Sequence, residues 1–156
     1  MALRETYLTP ATLKRLQEEL EHLRRSKRQE VADRIQRAKE VGGTVDNAEY
    51  DDAKNEQSFV EGRIQELELK LHQAVLITEG GPAGGVVQVG SHVIVEDEHG
   101  KRQEYTIVGV DDADPPSGKI SHESPVAKAL LGHKVRAKVQ VGTPRGKVEL
   151  KVVAIH

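Results

Sequence analysis

The side chains best suited to chemistry in this sequence are carboxylates that follow a glycine pair. After Gly42 and Gly43, the next nine residues contain four acids, Asp46, Glu49, Asp51 and Asp52. Proteins bind Mg²⁺ through oxygen ligands, usually one or two carboxylates together with water and substrate. Scattered carboxylates hold the ion poorly, so a magnesium site here needs further ligands from a partner. We therefore expect no stable metal site in the free protein.

Positive charge lies just before these acids, at Arg24, Arg28, Arg34 and Arg37. Such a strip is suited to following a phosphate backbone. A structural explanation competes, because cations late in one helix and anions early in the next complement the two helix dipoles. The sequence alone leaves both explanations open.

Other reactive side chains show no arrangement typical of catalysis. The seven histidines are scattered without metal-ligand spacing, and the absence of cysteine excludes disulfides, thiol nucleophiles and cysteine zinc sites. The glycine-rich stretch 80–85 lacks the Lys-Ser/Thr ending of a phosphate loop, so we interpret it as a linker.

A first helix is predicted from Thr9, an N-cap, and Pro10, a favoured first helical residue. Leucines then recur at heptad spacing, at Leu13, Leu16, Leu20 and Leu23. The pattern continues less regularly at Lys27, Val31, Ile35 and Ala38. Its four-residue steps resemble a stutter, which locally unwinds a supercoil.

A second helix is predicted to begin near Asp46 or Asn47. Its seam is Ala53, Gln57, Val60, Ile64, Leu67, Leu71 and Ala74. Two matched seams joined by a short bend favour an antiparallel hairpin over residues 1–76, with its tip at about 41–48. A dimeric coiled coil is the alternative. Gly62 within this helix indicates either a close backbone approach or a tolerated defect.

The second half, residues 77–156, has the pattern of a small antiparallel sheet with one helix. Short β-branched runs are predicted as strands at 86–89, 92–95, 105–110, 135–141 and 148–155. Asp97–Gly100 and Thr143–Gly146 have the composition of hairpin turns. Ser124 and Pro125 begin a short helix that Gly132 ends. The predicted fold class is therefore α+β.

Composition limits the classes of function. The net charge is −2, and the part after Ile77 has ten Lys/Arg and ten Asp/Glu, which argues against a generic nucleic-acid binder. The sequence has no apolar signal core and no run of about 20 apolar residues, which predicts a cytoplasmic protein without membrane contact.

Several motifs resemble the bacterial GreA/GreB transcript-cleavage factors. They are Tyr7-Leu8-Thr9-Pro10, the stretch from Leu16 to Leu20, Asn47-Ala48-Glu49-Tyr50, Glu61-Gly62-Arg63-Ile64, and the stretch from Ser124 to Gly132. The resemblance covers essentially the whole chain. It implies a coiled-coil hairpin followed by an FKBP-like domain, and an accessory factor rather than an enzyme.

The resemblance also implies the partners. The globular domain docks on RNA polymerase, here through Ser124, Pro125, Lys128 and Leu131, and the family is associated with DNA binding. A monomeric factor inserts its hairpin into the secondary channel of the polymerase, where the basic strip faces nascent RNA. Two tip acids then share the active-site Mg²⁺, and the polymerase hydrolyses backtracked RNA.

This sequence departs from the family pattern at the tip. The first family acid aligns with Gly43 and the second with Asp46, one methylene shorter than the usual Glu. Asp46 is then a weak auxiliary carboxylate, and Glu49 is its alternative. Cleavage activity is in doubt, and a non-cleaving relative that modulates the polymerase is the second hypothesis. More remote alternatives are a coiled-coil adaptor and an FKBP-like isomerase or chaperone.

Overall fold

The computed structural model describes residues 5–40, 47–78 and 85–156. Two compact units are present. The hairpin unit is Leu13–Gln73, and the sheet unit is Ala74–His156 together with the chain up to Thr12. The predicted boundary at residue 76 assigned the chain up to Thr12 to the hairpin, whereas in the structure this segment belongs to the sheet unit.

Elements follow one another in the order expected of an α+β protein, which confirms the predicted fold class. In chain order they are β1 Thr6–Leu8, α1 Pro10–His22, a π-helical turn Leu23–Lys27, α2 Arg28–Glu40, α3 Ala48–His72, β2 Ala74–Leu76, β3 His92–Glu96, β4 Arg102–Val108, β5 Lys119–Ser121, α4 Pro125–Leu130, β6 Lys138–Thr143 and β7 Gly146–Ile155. Two short 3₁₀ turns, Val110–Asp112 and Pro115–Ser117, lie between β4 and β5.

The hairpin is built by one chain around the two predicted seams. Its buried side chains are Leu16, Leu20, Val31, Ile35, Ala38, Ala53, Val60, Ile64 and Leu67. The π-helical turn occupies the stretch where the sequence pattern resembles a stutter. A π turn takes in an extra residue, and so it absorbs the drift of four-residue steps. No described atom outside the neighbouring backbone of its own helix lies within 4 Å of where a Cβ of Gly62 would be, so the predicted close backbone approach is wrong.

The sheet unit contains a five-stranded sheet in the order β5-β4-β3-β7-β6. The short helix α4 packs on it over a cluster of buried residues that includes Val93, Ile107, Leu130 and Val152. Two features of the sequence prediction need correction. The sheet is not wholly antiparallel, because β4 and β5 are parallel. The predicted strand 86–89 is a single bridge from Val86 to Lys134.

A second, two-stranded sheet was not predicted. β1 and β2 pair in parallel with Leu8 opposite Leu76. The first turn of α1 is capped within this unit: Thr9 Oγ1 accepts a hydrogen bond from Thr12 N at 3.3 Å. Asp112 accepts from the Thr9 amide and hydroxyl, both at 3.1 Å, and from the Thr12 hydroxyl. Thr9 thus satisfies one free amide of the helix, and Asp112 holds the Thr9 amide and the two hydroxyls in place.

Candidate functional site

One side chain connects α2 and α3 at the start of α3. Asn47 is the N-cap of α3: its Oδ1 accepts from Tyr50 N at 3.1 Å, and its Nδ2 donates to Ala38 O at 2.7 Å. One amide therefore satisfies a free donor of α3 and a terminal carbonyl of α2. Gly43 and Asp46, which occupy the two family acid positions, lie outside the described residues.

The nearest described carboxylates line a mixed-charge groove of about 370 Å³ between α2 and α3. Glu49 and Asp52 line this groove together with Arg34 and Arg37, whereas Asp51 does not. Sequence reasoning did not anticipate that Glu49 and Asp52 share one side of α3. The two arginines oppose cation binding, and the described residues contain no group of three His, Cys, Asp or Glu side chains able to hold a metal.

Three arginines of the predicted basic strip are paired with glutamates of α3. Arg24 donates to Glu68 at 2.6 Å, and Arg28 makes a two-bond contact with Glu61 at 2.8 and 2.9 Å. Arg34 contacts Glu56. The glutamate numbers fall as the arginine numbers rise, as antiparallel helices require. Arg37 is exposed and makes no hydrogen bond or ion pair with the described residues.

Glu56 and Arg63 each contact two charged side chains of the hairpin. Glu56 accepts from Lys27 at 2.9 Å as well as contacting Arg34. Arg63 donates to Glu19 at 2.8 and 3.0 Å and reaches Glu66 at 3.1 Å. Hydrogen bonds from Arg63 lower the pKa of Glu19 below its ordinary value, although partial burial opposes this. The same bonds raise the pKa of Arg63.

Sequence reasoning missed these partners, although a signal was present. Glu56, Glu61 and Glu68 each stand next to a seam position of the second helix. Charged residues that flank a coiled-coil seam face the partner helix and form ion pairs across it. Most of the basic strip therefore forms one side of an internal ion-pair ladder.

The predicted docking segment forms the short helix α4 as expected. Ser124 is its N-cap, and its hydroxyl accepts from Ala127 N at 3.2 Å. Pro125 and Lys128 are exposed, and Leu131 is half-buried against the core cluster. Ser124 is thus occupied with capping, so Pro125 and Lys128 are the members of this set that are free to meet a partner.

None of the helices in the described ranges is both long and apolar enough to cross a membrane.

Comparison with known proteins matches both halves of the chain. Residues 6–76 match the family model "Transcription elongation factor, N-terminal", and residues 82–156 match "Transcription elongation factor, GreA/GreB, C-term". The chain is 45% identical over 151 residues to a transcription elongation factor GreA of Halalkalibacterium halodurans, covering 96% of each. It is 49% identical over 150 residues to one of Thermoanaerobacter pseudethanolicus, again covering 96% of each.

A solved structure is similar in sequence as well. The crystal structure of GreA factor homolog 1 (Gfh1) of Thermus thermophilus is 39% identical, covers 98% of this chain and 99% of that chain, and has a TM-score of 0.44. The two family models between them match nearly the whole length of the chain. The chain therefore belongs to the GreA/GreB family of transcription elongation factors, which are accessory factors rather than enzymes.

Proposed function

We propose that this factor binds RNA polymerase and inserts its hairpin into the secondary channel, where it acts on backtracked or arrested complexes. The observation that carries the proposal is the internal bracing of the hairpin. Helix α3 has 25 residues, or about 38 Å at roughly 1.5 Å per residue. Ion pairs join α3 to the preceding helices along this length, and Asn47 joins α2 and α3 at the start of α3. A rod braced in this way can deliver its tip into a narrow channel.

The proposed chemistry belongs to the polymerase, with its active-site Mg²⁺ shared by the tip. Two-metal hydrolysis uses one ion to generate the nucleophile and the pair to stabilise the charge of the displacement. The family supplies two tip carboxylates for this purpose, whereas this chain has Gly43 and Asp46. One shorter carboxylate leaves more of the coordination to the polymerase and water. We therefore expect weak stimulation of RNA cleavage.

A non-cleaving modulator of the polymerase is the second candidate. It is favoured by the charge of the groove between α2 and α3, which Glu49 and Asp52 line together with Arg34 and Arg37. Carboxylates beside guanidinium groups are poor replacements for the missing acid, because the cations repel a second metal ion. Both candidates share the polymerase as partner and differ only in cleavage.

Nascent RNA in the channel meets a basic strip that is already paired. Arg24, Arg28 and Arg34 must exchange glutamates for phosphates to bind RNA, which offsets part of the gain. Arg37 has no ion pair with a described residue that it would have to break, and so it is the first candidate for RNA contact. Docking of the sheet unit uses Pro125 and Lys128 on α4.

The test is the rate of dinucleotide release from a stalled, backtracked polymerase complex. Three proteins are compared: the wild type, Asp46→Ala, and the restored double variant Gly43→Asp with Asp46→Glu. Restoring both acids should raise the rate at least tenfold, which corresponds to about 1.4 kcal/mol of barrier. Binding of each variant to the polymerase is the control, since a lost docking contact must not be mistaken for lost chemistry.

Each outcome separates the candidates. Slow wild-type release that the double variant accelerates supports a weakly cleaving factor. A double variant that binds normally and still releases no dinucleotide favours the non-cleaving modulator. Fast wild-type release that survives Asp46→Ala would contradict the role given to Asp46 and would return Glu49 and Asp52 to consideration.

A further inference from the structure

Positive charge is concentrated in one segment of the sheet unit. From Ser124 to Val148 the sequence has no Asp or Glu and six cations, Lys128, Lys134, Arg136, Lys138, Arg145 and Lys147. The preceding segment, from Glu96 to Glu123, has eight acids and three cations. The even balance of charge after Ile77 therefore conceals two segments of opposite sign.

These cations are not neutralised within the described parts of the chain. Lys138 has Glu149 at 4.0 Å, which is the limit of an ion pair. The other five have no side-chain hydrogen bond or ion pair with any described residue. Their charge is therefore available to a partner.

Arg136 has a backbone conformation that favours glycine. Its φ is +77°, and it is the one non-glycine residue with positive φ in the described ranges. Arg136 N donates to Val152 O at 2.7 Å, and Ala137 O accepts from Val152 N at 2.9 Å, so two residues oppose one in a β-bulge. The left-handed conformation is unfavourable for a residue with a Cβ. Strain of this kind is typical of functional positions, and the bulge directs an exposed guanidinium outward at the start of β6.

The chemistry of the surroundings favours a protein partner. β6 is an edge strand of the sheet. Val135 is 44% exposed between Lys134 and Arg136. A phosphate backbone offers no apolar contact to a valine, whereas protein interfaces combine apolar contacts with arginine. The segment from Ser124 to Val148 also has no Phe, Tyr or Trp on which a base could stack, and His133 is its one aromatic ring.

We infer that Lys134 and Arg136, termed here the basic edge, dock on an acidic protein surface of RNA polymerase. This inference rests on the proposed function and adds a second contact to the one on α4. Exposed complementary charges mainly raise the association rate, and salt weakens that effect. The basic edge should therefore govern how fast the factor binds and how steeply salt slows it.

The experiment measures association and dissociation rates of the full chain with core RNA polymerase at low and high salt, about 50 and 500 mM. The variants are Arg136→Gly, Arg136→Lys, and the double change Lys134→Gln with Arg136→Gly. Lys101→Gln is the matched control, because it removes one exposed cation from the same unit but from the acidic segment. Thermal unfolding of each variant accompanies the kinetics.

The double variant should associate roughly 3–10-fold more slowly at low salt, with little change in dissociation, and the difference should vanish at high salt. Arg136→Lys and Lys101→Gln should associate like the wild type. Arg136→Gly should unfold at the wild-type temperature or a few degrees above it, since glycine relieves the left-handed strain. A merely structural role for Arg136 predicts the opposite change in stability.

Failure of the proposed function can be told apart from failure of this inference. A wild type that does not bind polymerase overturns the proposed function and the inference with it. Equal binding by all variants, or equal loss in Lys101→Gln, overturns the inference alone. The same variants are also titrated with a duplex DNA of about 30 base pairs. Loss of DNA binding with unchanged polymerase binding would show that the basic edge binds nucleic acid and would overturn the inference.

Discussion

The hairpin and the segment from Ser124 to Val148 both carry many cations, but they use them differently. The hairpin unit, Leu13–Gln73, has 12 Lys and Arg residues, and the segment has six. In the hairpin Arg24, Arg28 and Arg34 face glutamates across the seam. In the segment only Lys138 has a carboxylate within ion-pair distance among the described residues. The segment therefore leaves a larger share of its cations without an ion pair to a described residue.

The number of cations in a region does not determine how many are available to a partner. An exposed ion pair contributes only about 0–1 kcal/mol to stability, so the ladder of the hairpin adds little to its folding free energy. Its pairs match the antiparallel register of the two helices, and they reduce the positive charge available to a partner. A count of cations along the sequence therefore does not show how many of them are free to meet a partner.

The largest expected effect tests whether the apolar seam, rather than the ion pairs, holds the hairpin together. Leu67 is fully buried in the seam, whereas Leu69, on the same helix, is 53% exposed. Leu67→Ala should lower the free energy of unfolding by about 2–5 kcal/mol, because it removes buried methyl groups and leaves a cavity. Leu69→Ala is the matched control and should stay within about 0.5 kcal/mol. Hydrogen exchange of the α3 amides measures both, and similar losses would contradict the assignment of the seam.

A smaller effect is expected at Asn47, where the hairpin again uses a polar group internally. Asn47→Ala removes both the N-cap of α3 and the bond to Ala38 O, and should cost about 1–2 kcal/mol locally. Asn47→Asp keeps the capping oxygen but cannot donate to that carbonyl. Hydrogen exchange of the Tyr50 amide reports the cap. If Asn47→Asp protects this amide as well as the wild type does, the cap is independent of the cross-helix bond.

Much of the fold could be predicted from the sequence because its signals are local. The heptad period placed Leu16, Leu20, Ile64 and Leu67 in one core, and cap chemistry located the start of α4 at Ser124. The two parallel pairings were not predicted. β2 and β5 have three residues each, which is too short to show an alternating pattern. Both pair in parallel, so no hairpin turn in the sequence indicates their partners.

The candidate site was less predictable, for two physical reasons. The pairing of Arg28 with Glu61 depends on the register of two helices, and a single stretch of sequence does not contain that information. The left-handed conformation of Arg136 arises from a bulge against Val152. An arginine gives no local sign of positive φ, whereas a glycine at that position would have done so.

The smallest expected effect concerns the ion pair between Glu19 and Arg63, and it tests the low stability assigned to the ladder. Arg63 holds the pKa of Glu19 below its ordinary value of 4.5, so the unfolded chain binds more protons than the folded one near that pH. The contribution of the pair is therefore present above about pH 4.5 and is lost as the pH falls through the folded pKa. A double-mutant cycle of Glu19→Gln and Arg63→Gln should give a coupling below about 1 kcal/mol at pH 7, and less in high salt. The control is Glu18→Gln, since Glu18 is exposed and makes no contact with a described charge. Urea unfolding at several pH values measures the cycle. A coupling of several kcal/mol, or one that grows as the pH falls, would contradict the low stability assigned to the ladder. The charges of the hairpin would then differ from those of the basic edge in two ways: they would stabilise the fold, and they would be less available to a partner.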